Sequence, residues 1–132
     1  MKKIIFVCVH NSGRSQMAEA FGNKLGGGKI LFESGGTEPG ESLNPVVVEA
    51  MEEIGYDMSD HYPKALTYKM AETADRIITM GCGVDETSCP ASFMLSEDWE
   101  LEDPKGKSIE IVRQIRNQIK TRVEKLITEL SS

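Results

Sequence analysis

The sequence predicts an α/β fold: a single domain over residues 1–132, built as a three-layer α/β/α sandwich around a central, mainly parallel four-stranded sheet. Three observations point there. Short apolar, β-branched runs recur along the chain, segments of helical spacing alternate with them, and glycine or proline marks the changeovers. Strands separated by helices pair in parallel, because each connection must cross a face of the sheet before the next strand begins.

Each element has its own reason. Lys3 to Val7 is apolar and β-branched and reads as a buried strand. Gln16 to Leu25 is a good helix former with Met17, Ala20, Phe21 and Leu25 on one face, and Arg14 stands where that helix begins. Gly26 to Gly28 ends it, supplying the C′ glycine and a turn. Lys29 to Ser34 reads as a second strand closed by Gly35 and Gly36, and Thr37 to Leu43 as a loop. Asn44 caps and Pro45 opens a helix over Val46 to Ile54, which Gly55 stops. Pro63 and Thr67 bracket a loop before a short helix, Tyr68 to Thr73. Arg76 to Met80 is a third strand, Gly81 to Ser96 an irregular stretch, and Glu97 to Leu101 a short fourth strand. Ser108 is the N-cap of a last helix with apolar residues at Ile109, Val112, Ile115, Ile119, Val123, Leu126, Ile127 and Leu130. Its basic residues Arg113, Arg116, Lys120, Arg122 and Lys125 are expected on the solvated face.

Composition narrows the function. A net charge of −6 argues against a general nucleic-acid or anionic-membrane partner, so an oxyanion must be drawn by local groups. The apolar runs are too short to span a membrane and the start of the chain lacks a signal-peptide pattern, so a cytoplasmic location is expected. The cysteines are Cys8, Cys82 and Cys89, an odd number that favours redox or catalytic use over a secreted disulfide framework. Without a C-x-x-C pair and with only two histidines, His10 and His61, zinc is not expected.

The stretch from Cys8 to Ser15 carries the chemistry. Cys8 ends a strand, Arg14 begins a helix, and Val9, His10, Asn11, Ser12 and Gly13 lie between them. Loop amides, the helix dipole, Arg14 and the Ser15 hydroxyl all favour a thiolate and hold an oxyanion beside it. A thiolate attacks tetrahedral phosphorus or arsenic, and a guanidinium grips two of the oxygens. Asp103, held extended by Pro104, is the candidate proton donor for the leaving group. His10 is expected to face solvent and Trp99 to serve packing. A phosphatase needs only the first cysteine. Cys82 and Cys89, separated by the six residues Gly83 to Ser88, suit a thiol relay that delivers two electrons; two inert cysteines or a static disulfide are the plainer alternative.

These residues resemble the thioredoxin-coupled arsenate reductases, a branch of the low-molecular-weight protein tyrosine phosphatase superfamily. The likeness spans nearly the whole chain. Both branches share the C-x5-R-S loop. Gln16 after Ser15, the Cys82/Cys89 pair and Lys105-Gly106 after Asp103-Pro104 fall on the reductase side, beside Asn11, Glu19, Ser34 and Asn44-Pro45. The resemblance implies that arsenate binds on Val9 to Ser15, with phosphate or sulfate as mimics, and that Cys8 attacks it while Asp103 protonates the departing hydroxyl. Cys82 then attacks Cys8, Cys89 attacks Cys82, and thioredoxin restores the dithiol, with no bound cofactor. It implies a cytoplasmic, monomeric detoxification enzyme of arsenical resistance with a redox-active disulfide. Some relatives hold potassium through residues matching Asn11, Glu19 and Ser34 plus an aspartate; here Lys64 stands at the aspartate position, and its ammonium is expected in place of the metal. The alternative function is a tyrosine phosphatase or phosphomonoesterase using Cys8 and Asp103. A redox-regulated adaptor is a third reading, which predicts no turnover.

Overall fold

The computed structural model describes residues 2–81 and 96–131. Along those residues run β1 (Lys2–Cys8), α1 (Arg14–Leu25), β2 (Ile30–Gly36), α2 (Pro45–Glu52), α3 (Tyr68–Thr73), β3 (Arg76–Thr79), β4 (Ser96–Asp98) and α4 (Ile109–Ser131). The strands lie in the order β2-β1-β3-β4, and every neighbouring pair is parallel. The expected parallel α/β architecture is what the chain adopts.

Alternation along β1 sends its side chains to two separate cores. Ile4, Phe6 and Cys8 join Phe32 of β2 and Ile78 of β3 beneath α1, α2 and α4, with Phe21, Met51 and Ile119 among their partners. Ile5, Val7 and Ile77 face the other way, onto Ala71 of α3 and Leu66 before it. Trp99 belongs to the larger core, 5.5 Å from Phe6 between ring centroids, so it packs as expected.

Register decides where the chemistry sits. Cys8 stands opposite Gly36, and Val7 opposite Thr79, so the carboxyl ends of three strands meet at one edge. In parallel sheets that edge is where ligands bind. Cys82 and Cys89 lie outside the described residues, as does most of the Gly81 to Ser96 stretch.

Several details depart from the sequence reading. Gly35 and Gly36 do not close β2; they are its last residues. A Cβ on Gly35 would stand 2.9 Å from the Leu66 backbone, and one on Gly36 2.6 Å from the Val9 carbonyl, so neighbouring chain passes too close for side chains. Leu25, assigned to the buried face of α1, is 39% exposed because it lies in the final turn, beyond the cover of the core. Gly26 is right-handed (φ −76°), and the left-handed residues are Gly27 and Gly28. The fourth strand ends at Asp98 because Glu100 takes a positive φ of 52°, which turns the chain out of the sheet. Helix α2 runs Pro45–Glu52, under the predicted Asn44 cap, whose side chain accepts from the Val46 amide.

Arg116 is the largest correction. Expected on the solvated face, it is instead buried, and its Nη1 donates to the Ala50 carbonyl at 2.8 Å and to Glu53 Oε1 at 2.9 Å. Arg113 donates to the same carboxylate through Nε at 2.9 Å. The Arg113 hydrogen bond, joined by Arg116, holds the Glu53 carboxyl below the ordinary value of 4.5. One carboxylate thus pins α2 to α4. A depressed carboxylate contributes stability above its unfolded pKa and loses it as pH falls through the folded value, so this link is lost in acid. Arg116→Ala is expected to lower unfolding stability by about 2 kcal/mol at neutral pH, since it strands the buried Ala50 carbonyl. Urea denaturation checks it; a midpoint equal to that of the parent contradicts the pinning role.

Candidate active site

The loop from Cys8 to Arg14 is shaped by where its carbonyls point. Cys8 O accepts from the Thr37 amide at 3.3 Å, Val9 O from Glu38 at 2.8 Å, His10 O from Gly40 at 3.0 Å and Ser12 O from Asn44 at 2.9 Å. Asn11 O accepts from Gln16 Nε2 at 3.2 Å, and Gly13 O from the Met17 amide at 3.0 Å. All six carbonyls therefore face the surrounding scaffold. In a trans peptide the following N–H points the opposite way. The amides of residues 9–14 are thereby turned inward, the direction in which the Asn11 N–H reaches Cys8 Sγ at 3.3 Å. A ring of amide donors capped by a helix N-terminus is an anion cradle.

Asn11 makes the turn possible. It is one of two non-glycine residues among those described with positive φ (51°), and its side chain is held on every side. Its Nδ2 donates to Ser15 Oγ at 2.7 Å; its Oδ1 accepts from Gln16 Nε2 and from the Lys64 amide, both at 2.8 Å. Ser15 Oγ in turn lies 3.0 Å from Cys8 Sγ. Cys8, Asn11 and Ser15 are all buried, so these contacts act in a low dielectric. Donors converging on sulfur stabilise it as a thiolate.

Arg14 closes one wall. Its side chain is only 6% exposed, and both hydrogens of Nη1 are taken by backbone carbonyls: Met80 O at 3.0 Å and Leu101 O at 2.7 Å. Its Nη2 lies 3.8 Å from Asp103 Oδ2, a carboxylate that is 61% exposed. Pro104 seats this acidic loop on the cradle, because a Cβ on Gly13 would meet Pro104 Cγ at 3.0 Å. The result is a cleft of about 610 Å³ in which Cys8, Arg14, Asp103 and Lys105 share the lining with residues 42–45. His10 is exposed, its Nδ1 3.0 Å from the Glu38 carbonyl, as expected for a residue facing solvent.

Behind the cradle, Glu19 Oε1 accepts from Ser34 Oγ at 3.0 Å and from Lys64 Nζ at 3.3 Å, and that ammonium is 3.4 Å from Ser34 Oγ. Glu19 and Ser34, two of the residues matching a cation site, thus already contact a positive charge, while Asn11 meets the Lys64 backbone amide. A potassium ion there would meet the ammonium of Lys64 and one carboxylate, which is a poor donor set for it. No group of three or more metal-ligating His, Cys, Asp or Glu side chains occurs among the described residues.

The structure brings together Cys8, Asn11, Arg14, Ser15 and Asp103; Cys82 and Cys89 fall outside the described residues. Sequence reasoning gave no role to two residues that hold this site. Gln16 bridges Asn11 to the Tyr62 carbonyl at 2.8 Å, and His61 Nδ1 lies 3.0 Å from Gln16 Oε1. The available signal was a polar Gln in the first turn of a helix, where a buried amide needs partners.

The low molecular weight phosphotyrosine protein phosphatase family, compared as a sequence profile, matches residues 3–132. A glutaredoxin arsenate reductase from Synechocystis sp. is 43% identical over 132 residues, covering 99% of this chain and all of the relative. A solved arsenate reductase in the phosphate binding state superposes with a TM-score of 0.86 at 43% identity, over 98% of each chain. The thioredoxin-dependent arsenate reductase of Corynebacterium glutamicum is 36% identical with a TM-score of 0.76, over all of this chain and 64% of that one.

Gly36 offers a direct probe of the cradle. A methyl group there must displace the Val9 carbonyl, at 2.6 Å, and so disturb the outward set of carbonyls. Gly36→Ala is expected to cost about 1–3 kcal/mol of stability by overpacking. It should also change the rate at which iodoacetamide alkylates Cys8. A variant with parental stability and alkylation rate would show that the loop does not depend on this close approach.

Proposed function

The chain belongs to the low molecular weight phosphotyrosine protein phosphatase family, and from that premise we propose that it is an arsenate reductase regenerated by thioredoxin. The observation that carries the reading is Cys8 at the floor of a cradle of inward amides with Arg14 at its wall. The names of relatives 36% and 43% identical to it support arsenate as the oxyanion.

Arsenate enters the cradle, where the amides of residues 9–14 and the Nη2 side of Arg14 hold its oxygens. Cys8 Sγ attacks arsenic and a sulfur–arsenic bond forms as one As–O bond breaks. Asp103 gives the departing oxygen its proton, so water leaves. Arg14 lies beside that carboxylate, and Ser15 steadies the thiolate before attack.

Reduction follows by thiol exchange. The Cys82 thiolate attacks Cys8 Sγ, the S–As electron pair passes to arsenic, and arsenite departs with arsenic reduced from +5 to +3. Two thiols are oxidised to a Cys8–Cys82 disulfide in the same step, which balances the two electrons. Cys89 then attacks Cys82, releasing Cys8 and leaving Cys82–Cys89 for an external dithiol to reduce. Because the resolving disulfide is intramolecular, a dithiol such as thioredoxin suffices as donor. One relative is named a glutaredoxin arsenate reductase and another a thioredoxin-dependent one, so the donor is a point for direct assay.

Cys82→Ala separates reduction from hydrolysis. Arsenite formation should fall at least about a thousandfold with loss of the resolving nucleophile, while slow hydrolysis of an aryl phosphate through Cys8 and Asp103 persists. Sustained turnover of arsenate with thioredoxin would sink the relay. Lys64 generates a second expectation. Since its ammonium sits between Glu19 and Ser34, added potassium should change neither melting temperature nor turnover, with sodium as the control. A potassium-specific rise in either contradicts the substitution of metal by lysine.

A further inference from the structure

Arg14 owes its position to two carbonyls, and one of them belongs to a peptide unit gripped from its other end. The Met80–Gly81 peptide gives its C=O to Arg14 Nη1 at 3.0 Å and its N–H to Asp98 Oδ1 at 2.7 Å. The two groups are antiparallel within one plane, so fixing the N–H fixes the direction of the carbonyl. We propose that Asp98, through the Met80–Gly81 peptide, is a positioning residue for the Arg14 guanidinium that grips the oxyanion; this rests on the role given to Arg14 above.

Three further observations support it. Asp98 Oδ1 also accepts from Thr79 Oγ1 at 2.9 Å, so the carboxylate is held to the residues on both sides of Met80: Thr79, the last of β3, and Gly81. Asp98 pairs with Thr79 across the β3–β4 ladder, and the Trp99 amide donates to Thr79 O at 2.9 Å, which fixes the strand that carries the carboxylate. Gly81 has φ +81°, and a Cβ there would stand 2.5 Å from Leu101 N and 2.8 Å from Leu101 O, the second acceptor of Arg14. The two halves of the guanidinium's seat are therefore packed against each other where only glycine fits.

The chemistry explains why a carboxylate stands there. A charged acceptor makes a stronger bond to the Gly81 N–H than a neutral one and polarises the peptide, which makes Met80 O a better acceptor for the guanidinium. With both hydrogens of Nη1 committed, the arginine can hold an oxyanion only through its other nitrogens, at a set angle to the cradle. Asp98 does not touch the oxyanion; it sets the direction from which Arg14 approaches.

The test uses the full chain carrying Cys82→Ser and Cys89→Ser, which leaves Cys8 as its only thiol. Inorganic phosphate is the probe, and the readout is the concentration that halves the rate of Cys8 alkylation by iodoacetamide. Asp98→Ala should raise that concentration about tenfold, the size of one charge-assisted hydrogen bond, each variant being compared with its own rate in the absence of phosphate. Asp98→Asn keeps an oxygen acceptor and should come within about threefold of the parent. Thr79→Val removes only the hydroxyl that holds the same oxygen, and should shift protection in the same direction by a smaller factor should Asp98→Ala fail to fold. Protection unchanged in Asp98→Ala, or in Thr79→Val where that variant must stand in, overturns the proposal, as does Asp98→Asn no better than alanine. A parent that phosphate does not protect overturns the cradle itself, and this inference falls with it.

Discussion

The site depends on one constraint: six successive carbonyls, from Cys8 to Gly13, all accept from donors outside the loop. Four of those donors are backbone amides of residues 37–44, one is the Gln16 side chain, and one is the first turn of α1. Peptide planarity does the rest, turning the amides inward without any residue having to supply a positive side chain. A chain of net charge −6 can hold an oxyanion because the attraction is local and oriented. The segment after β2 is thus as much a part of the cradle as the loop it supports.

Everything else preserves that arrangement. Gly36 lets the Val9 carbonyl approach, Asn11 accepts the left-handed turn, and Gln16, Lys64 and Ser15 satisfy the Asn11 side chain. The ammonium of Lys64 reaches Glu19 and Ser34 from the same segment, so a fixed internal charge lies behind the cradle. Arg14 is tethered independently, to the ends of β3 and of the turn after β4, and therefore meets the cradle from a separate part of the sheet edge.

Much of this was legible in the sequence, for identifiable reasons. The fold followed from alternating periods, since β1, α1, β2 and α4 each show a clear apolar pattern, and the sheet order makes the strand ends converge as parallel pairing requires. Cys8, Arg14 and Ser15 were found because a nucleophile, a guanidinium and a hydroxyl at that spacing have little other use. Lys64 beside Glu19 was readable only through the family resemblance, because 45 residues separate them. Arg116 was misassigned because helical periodicity places a residue on a face but does not reveal that Glu53 and the Ala50 carbonyl lie across from it. The Gly35–Gly36 pair looked like a strand terminator, yet it marks close approach of neighbouring backbone, a tertiary fact without a local signature. Asp98 escaped notice for the same reason: its partner is a main-chain amide, which carries no residue identity.

The central claim is that a Cys8 cradle coupled to two further thiols reduces arsenate at the expense of a dithiol. NADPH oxidation in the presence of thioredoxin and thioredoxin reductase measures this directly. Rapid NADPH consumption should begin on adding arsenate, with one NADPH consumed per arsenite formed, and none with phosphate. Consumption that does not depend on arsenate, or arsenite formation without it, would contradict the claim.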